Sequence, residues 1–262
     1  MNDARRKPLS TAPAKVTAVT LGFWIAKIAA TTLGETGGDW VTMSLNLGYL
    51  VGTAIFAAIF VGLVWGQVRA PVFQPTLYWA TIVATTTLGT TMADFFDRSA
   101  GLQYPGGTAI IATLLGISLF VWHRVEGTVS IRSITRPRAE WFYWVTILFS
   151  QTLGTALGDW TADTDRGGLA LGFENAALIF GGALVIIAAL YFWTRLSRTA
   201  LFWAAFVLTR PLGATLGDLL DKPHTDGGLA LSRLYASLAL LVFLVGCIVL
   251  FPQRAARAND AA

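Results

Sequence analysis

One spaced set of residues occurs four times along the chain and limits the possible folds more than any other feature. Each copy has a Trp, a Leu-Gly pair whose Gly follows ten residues later, and an Asp that follows fifteen residues after the Trp. The copies begin at Trp24, Trp79, Trp144 and Trp203. No insertion or deletion interrupts this spacing, so the chain is an internal repeat with a period of about 55 to 65 residues.

The composition predicts an integral membrane protein. With 55% hydrophobic residues, 13% charged residues and a mean hydropathy of +0.60, the chain lies outside the range of soluble globular proteins. The single cysteine, Cys247, lies in an apolar run, which excludes disulfides and a cysteine-built metal site. The polar start of the chain leads into the first repeat without a small-residue cleavage site. We therefore expect this start to be retained rather than removed as a signal peptide.

Eight apolar stretches, two in each repeat, are long enough to cross a hydrocarbon core of about 30 Å. They cover roughly 17–40, 44–66, 73–96, 107–123, 141–161, 170–194, 200–220 and 229–251. The predicted fold class is all-α, a polytopic membrane bundle of eight transmembrane helices built from four parallel two-helix repeats. The predicted boundaries are a tail at 1–16, repeats at 17–69 and 70–124, a basic link at 125–139, repeats at 140–197 and 198–252, and a tail at 253–262.

The charged residues between the spans predict the orientation. Basic residues collect on one side: Arg5, Arg6, Lys7, Lys15, Arg69, Arg124, Arg132, Arg136, Arg138, Arg195, Arg198, Arg254 and Arg257. The other side has Arg98, Arg166 and Lys222, together with Asp97, Asp163, Asp165, Asp221 and Asp226. The positive-inside rule then places both termini in the cytoplasm. The net charge of +4 thus reflects topology, and we expect the lipid bilayer, not nucleic acid, as the partner.

All four repeats enter the membrane in the same direction because each has two spans. Parallel repeats are related by an axis along the membrane normal. We expect either four hairpins about a pseudo-fourfold axis or two pairs about a twofold axis. The sequence leaves the oligomeric state open, a homo-oligomer included.

An Asp recurs at the same place in every repeat: Asp39, Asp94, Asp159 and Asp218. Each lies about 22 Å along its helix from the Trp. Ionisable residues at membrane depth cost about 2.5 to 3.5 kcal/mol each, so they are functional candidates. A ring of carboxylates suits a small hard cation, which predicts a metal site at these four residues. The alternative is that each Asp caps a helix end.

A polar stripe favours a lined path over end caps. Residues three, seven, eleven and fifteen after each Trp share one helical face. They read Lys27-Thr31-Glu35-Asp39, Ile82-Thr86-Thr90-Asp94, Ile147-Gln151-Thr155-Asp159 and Phe206-Arg210-Ala214-Asp218. Glu35 thereby joins the predicted ion-binding residues.

Buried cations in the stripe need partners. We expect Glu35 to pair with Lys27, and an aspartate to pair with Arg210. Glu174 and Arg233 either complete this charge network or lie in the membrane interface. The network is either part of a transport path or a structural ion-pair cluster, and its fixed cations argue against a permanently open pore.

The other repeated residues have structural interpretations. The Gly and Thr residues of the first helices predict close helix packing and interhelical hydrogen bonds. The repeated Trp residues, with Trp65, Trp122 and Trp193, predict an aromatic belt at the membrane surface. Pro211 predicts a kink. The acidic outer links, with His224, either attract cations or are simply solvated. No phosphate-binding loop, paired histidines or nucleophile elbow is present, so we expect neither an enzyme nor a bound cofactor.

With these four frames the chain, from Leu21 to Phe251, resembles a bacterial membrane-protein family of four tandem repeats, each with two transmembrane segments and a signature Trp. The resemblance implies this architecture and a bacterial inner-membrane location, and it brings no catalytic residues. Repeat two departs from the pattern at Ala93 and Phe95, and repeat four at Leu219.

The sequence therefore favours a transporter of a small cation, in particular a divalent metal ion such as manganese or magnesium, exported against proton entry. Two alternatives stay open. One is a membrane scaffold or subunit that transports nothing, and the other is a cation channel with a carboxylate ring.

Overall fold

The described part of the chain folds into eight long α-helices joined by short links. The computed structural model describes residues 14–256, so residues 1–13 and 257–262 of the two predicted tails lie outside the described residues. The helices are α1 (Leu21–Asp39), α2 (Gly48–Arg69), α3 (Pro75–Asp94), α4 (Gln103–Glu126), α5 (Pro137–Ala162), α6 (Phe173–Trp193), α7 (Arg198–Asp221) and α8 (Arg233–Leu250). Single π-helical turns at Trp40–Ser44 and Phe95–Ser99 continue α1 and α3. The predicted all-α class is confirmed.

Local sequence signals determine where the first helix of each repeat begins. The Thr20 side chain accepts a hydrogen bond from the first turn of α1, and the Ser197 side chain does the same for α7. Pro75 and Pro137 stand in the first turn of α3 and α5, where a missing N–H costs nothing. Gly127 ends α4 with a φ of 76°, a left-handed conformation that favours glycine.

The first helices of the four repeats form a closed ring. Each of α1, α3, α5 and α7, the inner helices, packs against two others of the set. The outer helices surround this ring, with α2 on α3, α4 on α5, α6 on α7, and α8 on α1. Each outer helix therefore packs mainly on the inner helix of the next repeat, and α8 closes the circle. Of the two predicted arrangements, the structure has the four-membered one, but a repeat is not a compact hairpin.

Glycines bring the inner helices into contact. The Gly of each Leu-Gly pair meets the residue seven places after the Trp of the next repeat. The pairs are Gly34 with Thr86, Gly89 with Gln151, Gly154 with Arg210, and Gly213 with Thr31. A Cβ atom at any of these glycines would come within 3.0 Å of its neighbour, a distance that real Cβ contacts rarely reach. The predicted packing role of these glycines is confirmed.

The two described ends of the chain meet at the end of the bundle that carries the repeated Trp residues, the tryptophan end. Thr17 and Ala255 form an antiparallel bridge, and Lys15 Nζ lies 2.7 Å from Glu140 Oε1. The Lys15 N–H also donates to the carbonyl of Ile134, in the predicted basic link. These contacts hold the first and last repeats and the link together.

Five helices, α2, α4, α6, α7 and α8, are long and apolar enough to cross a membrane. The outer helices expose large aliphatic side chains such as Leu50, Ile117, Val185 and Val242. The other three, α1, α3 and α5, carry polar residues on faces that the ring buries. The structure is therefore consistent with a membrane protein whose polar residues are covered from the apolar surroundings.

We expect Gly34→Ala to lower the free energy of unfolding by about 1 to 3 kcal/mol, a typical cost of overpacking. The added Cβ would lie 2.5 Å from Thr86 Cβ and 3.0 Å from the Thr86 carbonyl carbon, so α1 and α3 would have to separate. Gly62→Ala in α2 is the control, because a Cβ there meets nothing within 4 Å. Thermal unfolding in detergent measures both. Equal stability of the two variants would contradict the packing role of Gly34.

Candidate functional site

The polar stripes of the four inner helices are buried inside the ring. All sixteen residues of the stripes are at most 2% exposed. They form four layers across the ring. From the tryptophan end these are Lys27, Ile82, Ile147 and Phe206; Thr31, Thr86, Gln151 and Arg210; Glu35, Thr90, Thr155 and Ala214; and Asp39, Asp94, Asp159 and Asp218. We call the last the carboxylate layer, and its end of the bundle the aspartate end.

Arg210 crosses the centre of the ring and binds the other three inner helices. Its Nη2 lies 2.9 Å from Glu35 Oε2 in α1 and 2.6 Å from the hydroxyls of Thr90 in α3 and Thr155 in α5. Its Nη1 donates to the Thr31 carbonyl at 3.3 Å. The guanidinium therefore links all four inner helices at its level.

Two basic residues from the outer links divide the carboxylate layer into two pairs. Arg98 Nε lies 2.8 Å from Asp94 Oδ1, and its Nη2 lies 3.3 Å from Asp159 Oδ2. Lys222 Nζ lies 2.9 Å from Asp39 Oδ2 and 3.0 Å from Asp218 Oδ1. The four carboxylates therefore do not form one symmetrical ring, because each pair of neighbouring repeats holds its own cation.

The helix-cap interpretation of the aspartates is not supported. The helical turns continue beyond Asp39 and Asp94, and neither side chain makes a capping hydrogen bond. Helices α5 and α7 likewise run past Asp159 and Asp218. The carboxylates bind side-chain cations across the ring instead.

Three carboxylates come close enough to hold one metal ion. One oxygen each from Glu35, Asp39 and Asp218 lies within 4.8 Å of the others, and all three residues are buried. We call them the carboxylate trio. Asp94 and Asp159, which the sequence also predicted as ligands, bind Arg98 in the other half of the layer. At the position that matches Glu35, repeat three has Thr155, so only one half of the layer has a third carboxylate.

A cavity of about 640 Å³ opens at the aspartate end and reaches the carboxylate layer. Its charged lining includes Arg98, Asp159, Asp163, Arg166, Asp218, Lys222, Asp226 and Arg233. Asp159 Oδ1 is buried and has no hydrogen-bond partner among the described residues. The layer thus offers a buried carboxylate oxygen without a hydrogen bond from the described part of the chain, on a residue that lines the cavity.

The electrostatics of this cavity keep its lysine charged. Burial lowers the pKa of Lys222, but the carboxylates of Asp218 and Asp39 raise it well above its ordinary value. At Asp163, burial raises the pKa, but hydrogen bonds from the Tyr104 hydroxyl and the Asp165 N–H hold it below the ordinary value. Both groups are therefore ionised near neutral pH, and the cavity carries charges of both signs.

Two predicted ion pairs are wrong. Glu35 binds Arg210 rather than Lys27, and Arg210 binds Glu35 rather than an aspartate. Lys27 instead lies over the Phe206 ring, 4.2 Å from its centroid, and 3.5 Å from the Thr209 hydroxyl. The physical reason is that Glu35 and Arg210 approach each other from adjoining inner helices, whereas Lys27 lies two turns from Glu35 on the same helix.

Arg233 and Glu174, the two further members of the predicted network, lie in different surroundings. Arg233 lies 3.3 Å from Asp221 and 3.9 Å from Asp39, so it joins the charges at the aspartate end. Glu174 is exposed at the start of α6 and has no ion pair within residues 14–256, so its assignment to the network is wrong. Its helix is an outer one, and Glu174 lies on the exposed side of the first turn, whereas the neighbouring Phe173 is buried.

The aromatic-belt prediction is wrong for most of the tryptophans. Trp79, Trp144 and Trp203 are buried, as is Trp122. They pack with the aromatic residue that precedes each repeated Trp, and the hydroxyls of Tyr78 and Tyr143 lie 2.8 Å apart. Each repeated Trp lies three residues before its polar stripe and so shares the inward face. Trp65 and Trp193 are exposed, as expected of a belt.

Sequence reasoning missed the roles of Arg98 and Lys222, which it used only to predict orientation. A signal was present, because each follows a repeat aspartate by four residues and one helical turn brings such residues together. It also missed that every repeated Trp follows a Phe or Tyr, a second shared feature of the tryptophan end.

We expect Arg210→Met to lower the free energy of unfolding by about 3 to 5 kcal/mol, because it leaves the buried Glu35 carboxylate without its cation. Adding Glu35→Gln to this variant should restore most of the loss. As a control, Arg138→Met breaks an exposed pair with Glu126, which contributes at most about 1 kcal/mol. Unfolding in detergent measures each variant. The buried pair is unimportant if Arg210→Met costs no more than the control.

A pH-dependent stability is expected from Asp97, which lies beyond the end of α3. It is buried, and neither carboxylate oxygen has a hydrogen bond from residues 14–256. This burial raises its pKa to about 7 even though Arg98 acts in the opposite direction. Its pKa in the unfolded chain is about 3.9. The folded protein thus favours the neutral acid, whose stabilisation is complete below about pH 4 and is lost as the pH rises through 7.

The melting temperature of the native protein, relative to that of Asp97→Asn, should therefore fall between pH 4 and pH 8. Asp165→Asn, which makes the same substitution at an exposed position of another outer link, is the control. Parallel pH profiles for the native protein and Asp97→Asn would contradict this assignment.

Comparison with known proteins agrees with the repeat pattern. The family described as Repeat of Unknown Function (DUF347) matches residues 22–72, 77–128, 142–197 and 201–252. No curated protein and no solved structure matches the chain. The four matched segments correspond to the four predicted repeats and cover most of the sequence. The chain therefore belongs to the DUF347 repeat family, with four tandem copies of the repeat.

Proposed function

We propose that this protein is a membrane transporter of a small cation and that the cation binds to the carboxylate trio. The observation that carries this proposal is the position of the trio: three buried carboxylates lie together, and one of them, Asp218, lines a cavity that opens at one end of the bundle. Carboxylate oxygens are the ligands that hard divalent ions such as manganese and magnesium prefer. The trio contains carboxylates alone, without a cysteine or a histidine. The metal ion would be the cargo of the protein.

We further propose that all eight helices cross a bacterial inner membrane, with both termini in the cytoplasm. The outer helices present apolar side chains to lipid and cover the polar inner helices. The excess of basic residues at the tryptophan end supports this orientation. The cavity would then open to the periplasmic side.

The closed tryptophan end favours a carrier over a channel. Arg210 spans the ring on the tryptophan side of the trio, and the buried aromatic residues lie between Arg210 and the tryptophan end. A cation could pass to the other side only if these layers rearranged while the cavity closed. Carboxylates that release a metal ion can bind protons in its place, which supports export of the metal in exchange for protons.

One observation favours a second candidate, a membrane scaffold that transports nothing. Every aspartate of the carboxylate layer already has a basic partner, as expected of a network that serves folding specificity. On this interpretation, substitution of the aspartates would lower stability without affecting any ion movement.

A flux assay tests the proposal. Purified protein in liposomes, with an imposed pH gradient and a pH-sensitive dye inside, should move protons when Mn²⁺ or Mg²⁺ is added. Asp39→Asn and Asp218→Asn should each abolish this movement, because each removes a carboxylate of the trio. Glu174→Gln removes an exposed carboxylate outside the ring and should leave it unchanged.

Full flux in both aspartate variants would rule out the trio as the transport site. No flux with any metal ion, from protein that is folded and inserted, would favour the scaffold. Flux that does not saturate and moves no protons would favour a channel.

A further inference from the structure

We infer that the side-chain ammonium of Lys222 is a tethered occupant of the cation site and that the transported ion binds by displacing it. This inference rests on the proposed transport function and states how the same site is controlled. Lys222, a residue of an outer link, would then compete with the transported ion for the site.

The geometry places the ammonium where the metal ion would bind. Lys222 Nζ lies between Asp39 Oδ2 and Asp218 Oδ1, at 2.9 and 3.0 Å. A metal ion bound to the same two carboxylates needs oxygens at about 2.0 to 2.6 Å. The ion and the ammonium cannot both occupy this position, so one must leave before the other enters.

The other half of the carboxylate layer has a cation of a different kind. Arg98 occupies the same place in repeat two, but it is held at three points, by Asp94, by Asp159 and by the Tyr49 hydroxyl at 3.3 Å. Within residues 14–256, Lys222 has ion pairs with two carboxylates, and an ammonium on a flexible stem is released more easily than a guanidinium fork. One half is therefore a fixed pair and the other an exchangeable one.

The link that carries Lys222 allows its side chain to move without its backbone. The backbone N–H of Lys222 donates to the Asp218 carbonyl, and the backbone carbonyl of Lys222 accepts from the Ala230 N–H, both at 2.9 Å. The side chain faces the cavity, which Asp226 also lines. A displaced ammonium would thus find space, water and another carboxylate within its own link.

Formal charges indicate which ion can take its place. The carboxylate trio has three negative charges, and Arg210, bound to Glu35, offsets one of them. Arg233, 3.9 Å from Asp39, lies closer to Asp221, at 3.3 Å, and its charge is balanced there. Two negative charges therefore remain once Lys222 has left. A divalent cation neutralises them, whereas a monovalent ion only replaces the charge that the lysine already supplied. The exchange therefore favours a divalent metal ion.

Binding of Mn²⁺ to the purified protein, followed by the loss of the free-ion electron paramagnetic resonance signal, tests this inference. Lys222→Met keeps the length of the side chain without its charge, and it should bind Mn²⁺ at least about tenfold more tightly because the Lys222 ammonium no longer competes. Arg166→Met is the matched control. It removes one positive charge from an exposed residue of the same cavity without emptying the site.

Amine labelling gives a second readout in the unaltered protein. The chain has four lysines, Lys7, Lys15, Lys27 and Lys222. Saturating Mn²⁺ should raise the rate at which an acylating reagent modifies Lys222 severalfold, as measured by mass spectrometry. Lys15, which binds Glu140 at the tryptophan end, is the internal reference and should keep its rate.

The outcomes separate the two proposals. Tighter binding by Lys222→Met than by Arg166→Met, together with faster labelling of Lys222, supports displacement. If native protein binds and transports Mn²⁺, but the two variants bind alike and labelling is unchanged, the displacement is wrong and the transport site stands. If neither native protein nor folded Lys222→Met binds Mn²⁺, the proposed site itself fails.

Discussion

The need to cover charged side chains inside an apolar bundle determines the rest of this structure. Each inner helix carries ionised or hydrogen-bonding residues along one face, and no apolar surface could accept that face. Four such faces cover one another only in a closed ring, which is why the ring is built entirely from first helices. Since the ring already buries the polar faces, the outer helices need only present an apolar surface.

The polar faces can cover one another only because the inner helices approach closely. The glycine of each Leu-Gly pair lets the next inner helix come near enough for Arg210 to bind the three others at once. A larger residue would separate the helices and leave buried charges unpaired, so the glycines and the ion pairs depend on each other. The placement of each outer helix on the following repeat adds a second link between neighbours.

The functional proposal depends on how the chain departs from its own symmetry. Four equal repeats would give four equivalent aspartates, and no one of them would differ as a binding site. Glu35 supplies a third carboxylate in one half only, and the two halves hold different cations, Arg98 and Lys222. The layer thus has one pair held by an arginine and one held by a lysine, and our proposal places the external ion in the second.

The sequence alone determined the repeat, the all-α class, the inward stripes and the packing role of the glycines, because each depends on spacing along a single helix. Spacing also placed Asp94 near Arg98 and Asp218 near Lys222, although their significance needed the fold. The pairing of Glu35 with Arg210 and the position of Lys27 over the Phe206 ring were decided only by tertiary structure. These contacts join residues far apart in the chain, and their distances depend on how closely separate helices approach, which no local pattern records.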